Sequence, residues 1–206
     1  MLCIFAKLIG SNWFLQNPYL NDWLIEKRIN KVKIKGSTEQ YCMVRNAIFY
    51  EQATANNLQN NKSNINVGDN THIRGKLLIF PYRGKITVGS SCYREENAFI
   101  WSTASVRIGN GVLISHNCNI IDTHSHEFDY REKVESSYKG MLREGHPRQV
   151  PNIESSSITI GDYAWLSFNV SVLKGVTIEE GRLLQPSQLL QRMWILFAWL
   201  QVTLLS

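Results

Sequence analysis

Residues 158–181 read ITIGDYAWLSFNVSVLKGVTIEEG and contain the repeat that decides the fold. Apolar residues recur at every sixth position, in two series that are offset by two residues. The series are Ile158, Ala164, Val170 and Val176, and Ile160, Leu166, Val172 and Ile178. A helix would repeat its apolar residues at intervals of three and four, and a sandwich strand would alternate over one short run before a turn. The interval of six therefore predicts short strands joined by corners of constant length, stacked as the coils of a β-helix.

The same interval is present upstream of residue 158. Its members are Ile65, Val67, Thr71, Ile73, Leu77 and Ile79, and then Ile100, Val106, Ile108, Val112, Ile114, Cys118 and Ile120. Glycine follows the second apolar residue at four corners, which are Gly68, Gly89, Gly109 and Gly161. The register slips near Pro81 and before Ile100, where Arg94 occupies an apolar position. We expect an all-β domain, a parallel β-helix over residues 65–181.

Two segments inside and before this range lack the interval. Residues 1–64 are rich in aromatic side chains near the start, such as Trp13 and Trp23, and we expect a short helical N-terminal cap over the first coil. Residues 122–157 form one long loop insertion between the ladders. Loops of this length in compact domains are usually functional or disordered.

Composition excludes several classes of protein. The 206 residues include 22 Lys and Arg and 17 Asp and Glu, a net charge of +5, and 44% of them are hydrophobic. This charge is too small to indicate a nucleic-acid partner. No stretch approaches the ~18 uncharged apolar residues that a membrane span needs. The four cysteines match no disulfide or zinc spacing, and the N-terminus lacks a secretory pattern, so we expect a reduced, cytoplasmic protein.

The pattern of Ile or Val, then Gly and four variable residues, resembles the hexapeptide-repeat acyltransferases over about residues 65–181. The resemblance implies that the parallel β-helix winds left-handed and is triangular in section. It also implies acetyl-CoA as the donor, a hydroxyl of a sugar or surface-polysaccharide precursor as the acceptor, and direct transfer in a ternary complex. A homotrimer with sites between its subunits is implied as well.

In this family a His at the start of the loop is the catalytic base. His124 matches that position best and His126 is the second candidate, within the run Asp122-Thr123-His124-Ser125-His126. An imidazole with its ordinary pKa of ~6.5 is largely neutral at pH 7 and can take the proton of an attacking hydroxyl. Asp122 is a candidate to orient the imidazole, or it caps a turn.

The remaining candidate residues lie on the coils around the loop. Trp165, Ser167 and Lys174 are on the coils that carry acyl-CoA in the resembled family, or they are ordinary surface and packing residues. Asn117 and Trp101 are candidates for substrate binding. Alternatively, Asn117 is a corner residue with a left-handed backbone conformation, and Trp101 packs on an outer face of the coil.

Two alternatives to an acetyltransferase are weighed. The γ-class carbonic anhydrases share this fold and bind metal through three His, but the spacing of His72, His116, His124 and His126 does not fit their single His followed by a His-x4-His pair. We therefore expect no metal. The other alternative is a non-catalytic β-helix that keeps the ladders and has lost the coenzyme A groove.

Residues 182–206 contain no acidic residue, no glycine and no interval of six, and we interpret them as an aberrant tail produced by a frameshift. In the shifted frame, Met193 followed by Trp194 forces a valine codon, and Trp194 followed by Ile195 forces an aspartate codon. The neighbouring codons permit Ser-Val-Val-Thr-Lys-Asp and, near the end, Ala-Gly-Asn-Pro-Ala-Lys. Both are typical of the last coil and C-terminal turn of hexapeptide acyltransferases. Sequencing of the gene tests this interpretation.

Overall fold

A computed structural model describes residues 42–44, 46–124, 129–132, 134 and 153–191. This part of the chain contains eighteen short strands, β1 to β18. In order they are Met43–Val44, Ile48–Phe49, Thr54–Asn57, Ile65–Val67, His72–Ile73, Lys76–Ile79, Ile86–Val88, Tyr93–Arg94, Phe99–Ser102, Val106–Ile108, Leu113–Ile114, Asn119–Ile121, Ile158–Ile160, Trp165–Leu166, Ser171–Leu173, Thr177–Ile178, Leu183–Leu184 and Leu189–Leu190. Short helical turns include a 3-10 turn at Lys62–Asn64 and an α-helical turn at Tyr130–Glu132.

The strands form three six-stranded parallel sheets. Sheet A contains β1, β4, β7, β10, β13 and β16. Sheet B contains β2, β5, β8, β11, β14 and β17, and sheet C contains β3, β6, β9, β12, β15 and β18. Each strand therefore pairs with the strand three places later, and every coil contributes one strand to each sheet. The all-β parallel β-helix predicted from the repeat is confirmed, with six coils. Its left-handed winding stays an expectation from the resemblance.

The predicted ladders form the interior of the β-helix. In sheet A, Ile108 lies opposite Ile160, and in sheet C, Ile120 lies opposite Val172. These four side chains are at most 2% exposed. Because strand residues alternate between two faces, the residues between the ladder positions point outward. Burying a ladder isoleucine contributes about 1.5–3 kcal/mol to folding, so the repeat supplies most of the apolar stabilisation of this domain.

The described coils extend on both sides of residues 65–181. Strands β1 to β3 form a first coil in which Phe49 and Ala55 are buried. After Ile178, Leu184 and Leu190 continue the interval of six, and β17 and β18 pair with β14 and β15. The interval thus persists into the segment for which none was predicted. The predicted helical cap over the first coil lies outside the described residues, as do residues 192–206.

The corner glycines are needed because neighbouring coils approach closely. A Cβ atom at Gly109 would lie 2.7 Å from the backbone nitrogen of Asp162 in the next coil. The left-handed backbone conformation of the corners occurs at other positions, for example at Asn117, whose φ is 59°. No described helix is long and apolar enough to cross a membrane.

Candidate active site

The two ends of the long loop lie side by side where the loop leaves and rejoins the β-helix. Thr123 and Ser155 form an isolated antiparallel bridge. The backbone N–H of His124 donates to the carbonyl of Glu154 at 3.2 Å, and the N–H of Ser156 donates to the carbonyl of Asp122 at 2.9 Å. His124 is therefore attached to the rim of the fourth coil, β10 to β12.

Asp122 anchors the start of the loop. Its side chain is buried, and its carboxylate accepts hydrogen bonds from Ser102 Oγ at 2.6 Å, from the N–H of Thr103 at 2.7 Å and from the N–H of Ala104 at 3.0 Å. Burial raises the pKa of Asp122, and these hydrogen bonds partly offset the effect. The carboxylate thus points at the preceding coil. Orientation of the imidazole, the other predicted role, stays a prediction.

His124 lies in a small charged cluster with Glu154 and Lys174, which we call the loop-base cluster. The imidazole Nε2 is 3.6 Å from Glu154 Oε2, which is 2.7 Å from Lys174 Nζ. Burial and the positive charge of Lys174 lower the pKa of His124, while Glu154 acts in the opposite sense. The imidazole is therefore biased towards its neutral, proton-accepting form near pH 7. The second candidate base, His126, lies outside the described residues.

The cluster includes one residue that sequence reasoning missed and one that it placed elsewhere. Glu154 lies at the end of the loop, outside the six-residue repeat, so the repeat does not identify it as a candidate. Lys174 follows β15 on the coil above His124, and its side chain is only 13% exposed because it turns towards Glu154. The close approach of residues 122–124 and 154–156 brings the three groups together, and no spacing in the sequence reveals it.

The two predicted acceptor residues lie on neighbouring coils in different surroundings. Trp101 is on the outer face of β9, opposite Ile121 and edge-on to Phe99 at 6.4 Å between ring centroids. Its indole Nε1 is buried without a hydrogen-bond partner among the described residues. Asn117 is an exposed corner residue whose φ of 59° fits the structural alternative.

Trp165 and Ser167 lie on and just after sheet B rather than at the loop base. Trp165 points outward from β14, is 48% exposed, and its indole donates to Ser115 Oγ at 3.5 Å. Ser167 is buried, and its carbonyl accepts from the thiol of Cys118 at 3.1 Å. Lys174, which was predicted together with them, contacts Glu154 instead.

Within the described residues, no group of three His, Cys, Asp or Glu side chains is arranged to hold a metal ion. His72 Nδ1 is 2.9 Å from the hydroxyl of Tyr50, and His116 stacks on Phe168 with ring centroids 5.6 Å apart. Both are on outer faces or corners away from His124.

Two curated proteins are similar to this chain. The probable acetyltransferase Rv3034c of Mycobacterium tuberculosis (strain ATCC 25618 / H37Rv) is 24% identical over 177 residues, which are 86% of this chain and 54% of that protein. The putative lipopolysaccharide biosynthesis O-acetyl transferase WbbJ of Escherichia coli (strain K12) is 31% identical over 122 residues, 59% of each protein. These two similarities confirm the expected resemblance to acetyltransferases. The chain spans a little over half the length of these relatives.

Solved structures of hexapeptide-repeat and other acyltransferases are also similar. The hexapeptide-repeat acetyltransferase VCA0836 of Vibrio cholerae, complexed with acetyl coenzyme A, is 21% identical with a TM-score of 0.43, and the match covers 61% of this chain and 59% of that one. The N-acyltransferase AntD of Bacillus cereus, in complex with dTDP and 3-hydroxybutyryl-CoA, is 15% identical with a TM-score of 0.37, and 80% of each chain is covered. No protein-family model matches the chain.

Proposed function

We propose that this protein is an acyl-CoA-dependent O-acetyltransferase acting on a hydroxyl of a sugar or surface-polysaccharide precursor. The observation that carries the proposal is His124, attached to a rigid coil at the base of the long loop with its pKa lowered. The similarity to curated acetyltransferases, one of them assigned to lipopolysaccharide biosynthesis, supports the substrate class.

In the proposed reaction the acceptor hydroxyl attacks the thioester carbonyl of acetyl-CoA directly. His124 Nε2 or Nδ1 takes the hydroxyl proton as the new C–O bond forms, and the tetrahedral oxyanion then collapses with cleavage of the C–S bond. The imidazolium returns its proton to the departing thiolate, so that coenzyme A leaves as the thiol. General-base catalysis of this kind contributes ~10²–10⁴-fold to the rate.

The other candidate residues are assigned by position. Trp101, with its unpartnered buried indole N–H near the loop base, is proposed to line the acceptor site together with Asn117. Trp165 and Ser167 are proposed to line the acetyl-CoA groove. Lys174 is proposed to lie at the edge of the groove, next to His124. An acetyl-CoA donor and the free thiols of Cys92 and Cys118 fit a cytoplasmic location.

We propose a homotrimer as the working form, with its sites between subunits. The outer face of sheet B supports this assembly, because Leu113, Trp165 and Leu183 align across β11, β14 and β17 and are 45%, 48% and 51% exposed. Aligned exposed apolar side chains of this kind mark contact surfaces. The same stripe includes Trp165, so assembly would also complete the proposed coenzyme A groove.

The first experiment measures acetyl transfer from acetyl-CoA to sugar and sugar-nucleotide acceptors for the wild type and for the His124→Ala variant. We expect a loss of ~10²–10⁴-fold in kcat, because the hydroxyl then lacks its proton acceptor. His126→Ala tests the second candidate base, and Arg107→Gln, on the exposed outer face of sheet A, is the control and should retain activity. Unchanged turnover in His124→Ala refutes this mechanism. Absence of turnover in the folded wild type favours the non-catalytic β-helix.

A further inference from the structure

Glu154 is held between His124 and Lys174 by contacts on both sides. Its Oε2 is 2.7 Å from Lys174 Nζ and 3.6 Å from His124 Nε2. Its backbone carbonyl accepts the N–H of His124 at 3.2 Å. One residue from the end of the loop therefore contacts both the backbone and the imidazole of the proposed base.

The position of Glu154 is fixed by the coils around it. Arg83 Nη2 donates to the carbonyl of Ile153 at 3.2 Å, and the N–H of Gly175 donates to the carbonyl of Ser156 at 3.0 Å. Lys174 is brought over the cluster because it follows directly from β15, whose Val172 pairs with Ile120 of β12. The carboxylate of Glu154 is itself open to solvent, with 69% of the side chain exposed.

The charges in the cluster act on the imidazole in opposite directions. Lys174 disfavours the imidazolium, Glu154 favours it, and Lys174 holds the pKa of Glu154 below its usual range, so that this carboxylate stays ionised. The neighbouring Asp122 carboxylate faces Ser102, Thr103 and Ala104, and Arg83 binds a backbone carbonyl. Of the charged groups named here, Lys174 and Glu154 act electrostatically on the imidazole of His124.

We propose that Glu154 is a positioning residue that orients the imidazole of His124 and stabilises its imidazolium, and that Lys174 holds Glu154 in place and keeps the resting imidazole neutral. This proposal rests on the proposed function, because it assigns these roles to the general base of that reaction. It also places Lys174 in the proton-transfer machinery, in addition to the edge of the coenzyme A groove.

The two charges serve different stages of the reaction. Before transfer, the imidazole must be neutral to accept the hydroxyl proton, and the cation of Lys174 favours that state. After transfer the ring is cationic, and the nearby carboxylate of Glu154 stabilises it until the proton passes to the coenzyme A thiolate. Removing either charge should therefore change the proton affinity of His124, in opposite senses.

The test follows the imidazole resonances of His124 by NMR through a pH titration of the wild type, Glu154→Gln and Lys174→Met. We expect the titration midpoint of His124 to move to lower pH in Glu154→Gln and to higher pH in Lys174→Met. Glu96→Gln is the matched control, since it breaks the comparable Arg74–Glu96 pair at 3.5 Å on another coil and should leave His124 unchanged. Unmoved midpoints, or shifts in the same direction, overturn the proposal.

Kinetics on the same variants separate this proposal from the proposed function. The acid limb of the kcat/KM profile should move with the NMR midpoint, and kcat of Glu154→Gln should fall roughly tenfold, less than the ~10²–10⁴-fold expected for loss of the base. The KM for acetyl-CoA should stay near the wild-type value in Glu154→Gln. NMR shifts without any change in the acid limb overturn the positioning role. If His124→Ala retains full activity, the assignment of His124 as the base fails, and if the folded wild type has no activity, the proposed function fails; in both cases the titration of the wild type and the two variants still reports on the cluster.

Discussion

At the scale of single residues, Arg94 is the clearest conflict between sequence and environment. It occupies an inward position of β8, between Ile73 and Ile114 of the adjacent coils. The side chain is 2% exposed, and Nε, Nη1 and Nη2 have no hydrogen-bond partner among the described residues. Burial lowers the pKa of Arg94 to about 9, so the guanidinium is still charged at pH 7. An unpaired buried charge of this kind destabilises the folded state.

Replacing Arg94 with Met should therefore stabilise the protein. We expect the free energy of unfolding at pH 7 to rise by ~1–3 kcal/mol, because a flexible apolar chain fills the same space without desolvating a charge. The folded state releases the Arg94 proton at lower pH than the unfolded chain, so the advantage of Met should shrink as the pH rises above about 9. Urea unfolding measures both effects.

The matched control is Arg107→Met, on the exposed outer face of β10. Its effect should stay within ~0.5 kcal/mol, as for other surface substitutions. A destabilised Arg94→Met variant would mean that the guanidinium has a stabilising partner in the folded protein.

At the scale of strands and corners, the repeat predicted the interior well and the connections poorly. Ile108, Ile114 and Ile120 were predicted because burial on every coil demands an apolar side chain at fixed spacing. The first coil was missed because small residues such as Ala53 and Ala55 fill it and resemble surface positions.

The candidate site was predictable only in part, for a related physical reason. His124 is marked by the break in the ladders, which shows where a loop leaves the coil. The contacts of Glu154 with His124 and Lys174 depend on how the two ends of the loop meet. Contacts between residues that are far apart in a loop produce no periodic pattern in the sequence. Asp122 was a candidate from its position, but its burial beneath residues 102–104 depends on the stacking of the coils.

The corner glycines give a prediction at this scale. A Cβ atom at Gly109 would overlap the backbone of Asp162, so Gly109→Ala must push two coils apart. We expect a loss of ~1–3 kcal/mol in the free energy of unfolding, the usual cost of overpacking, measured by urea unfolding. Gly181→Asn is the control, because nothing lies within 4 Å of a Cβ there and Asn tolerates its φ of 66°. Equal stability of Gly109→Ala and the wild type would contradict the close approach of the coils.

At the scale of the whole molecule, the outer faces of the three sheets differ in character. Sheet A presents Met43 on its first strand, 53% exposed, and polar residues on the following five, namely Asn66, Thr87, Arg107, Thr159 and Thr177. Sheet B presents Ile48, His72, Tyr93, Leu113, Trp165 and Leu183 along one line. Because Leu113, Trp165 and Leu183 lie next to one another in this line and are 45%, 48% and 51% exposed, we expect sheet B to be the contact surface of the proposed trimer.

Leu113→Lys tests this assignment, because it places a charge in the middle of the apolar line without touching the interior. We expect the dissociation constant of the proposed trimer to rise at least ~10-fold, since a buried unpaired charge at an interface costs more than ~1.4 kcal/mol. Sedimentation velocity over a range of protein concentrations measures the change. Thr159→Lys, on the exposed face of sheet A, is the control and should sediment as the wild type does. If Leu113→Lys and the wild type sediment identically, sheet B is not the contact surface between copies of the chain.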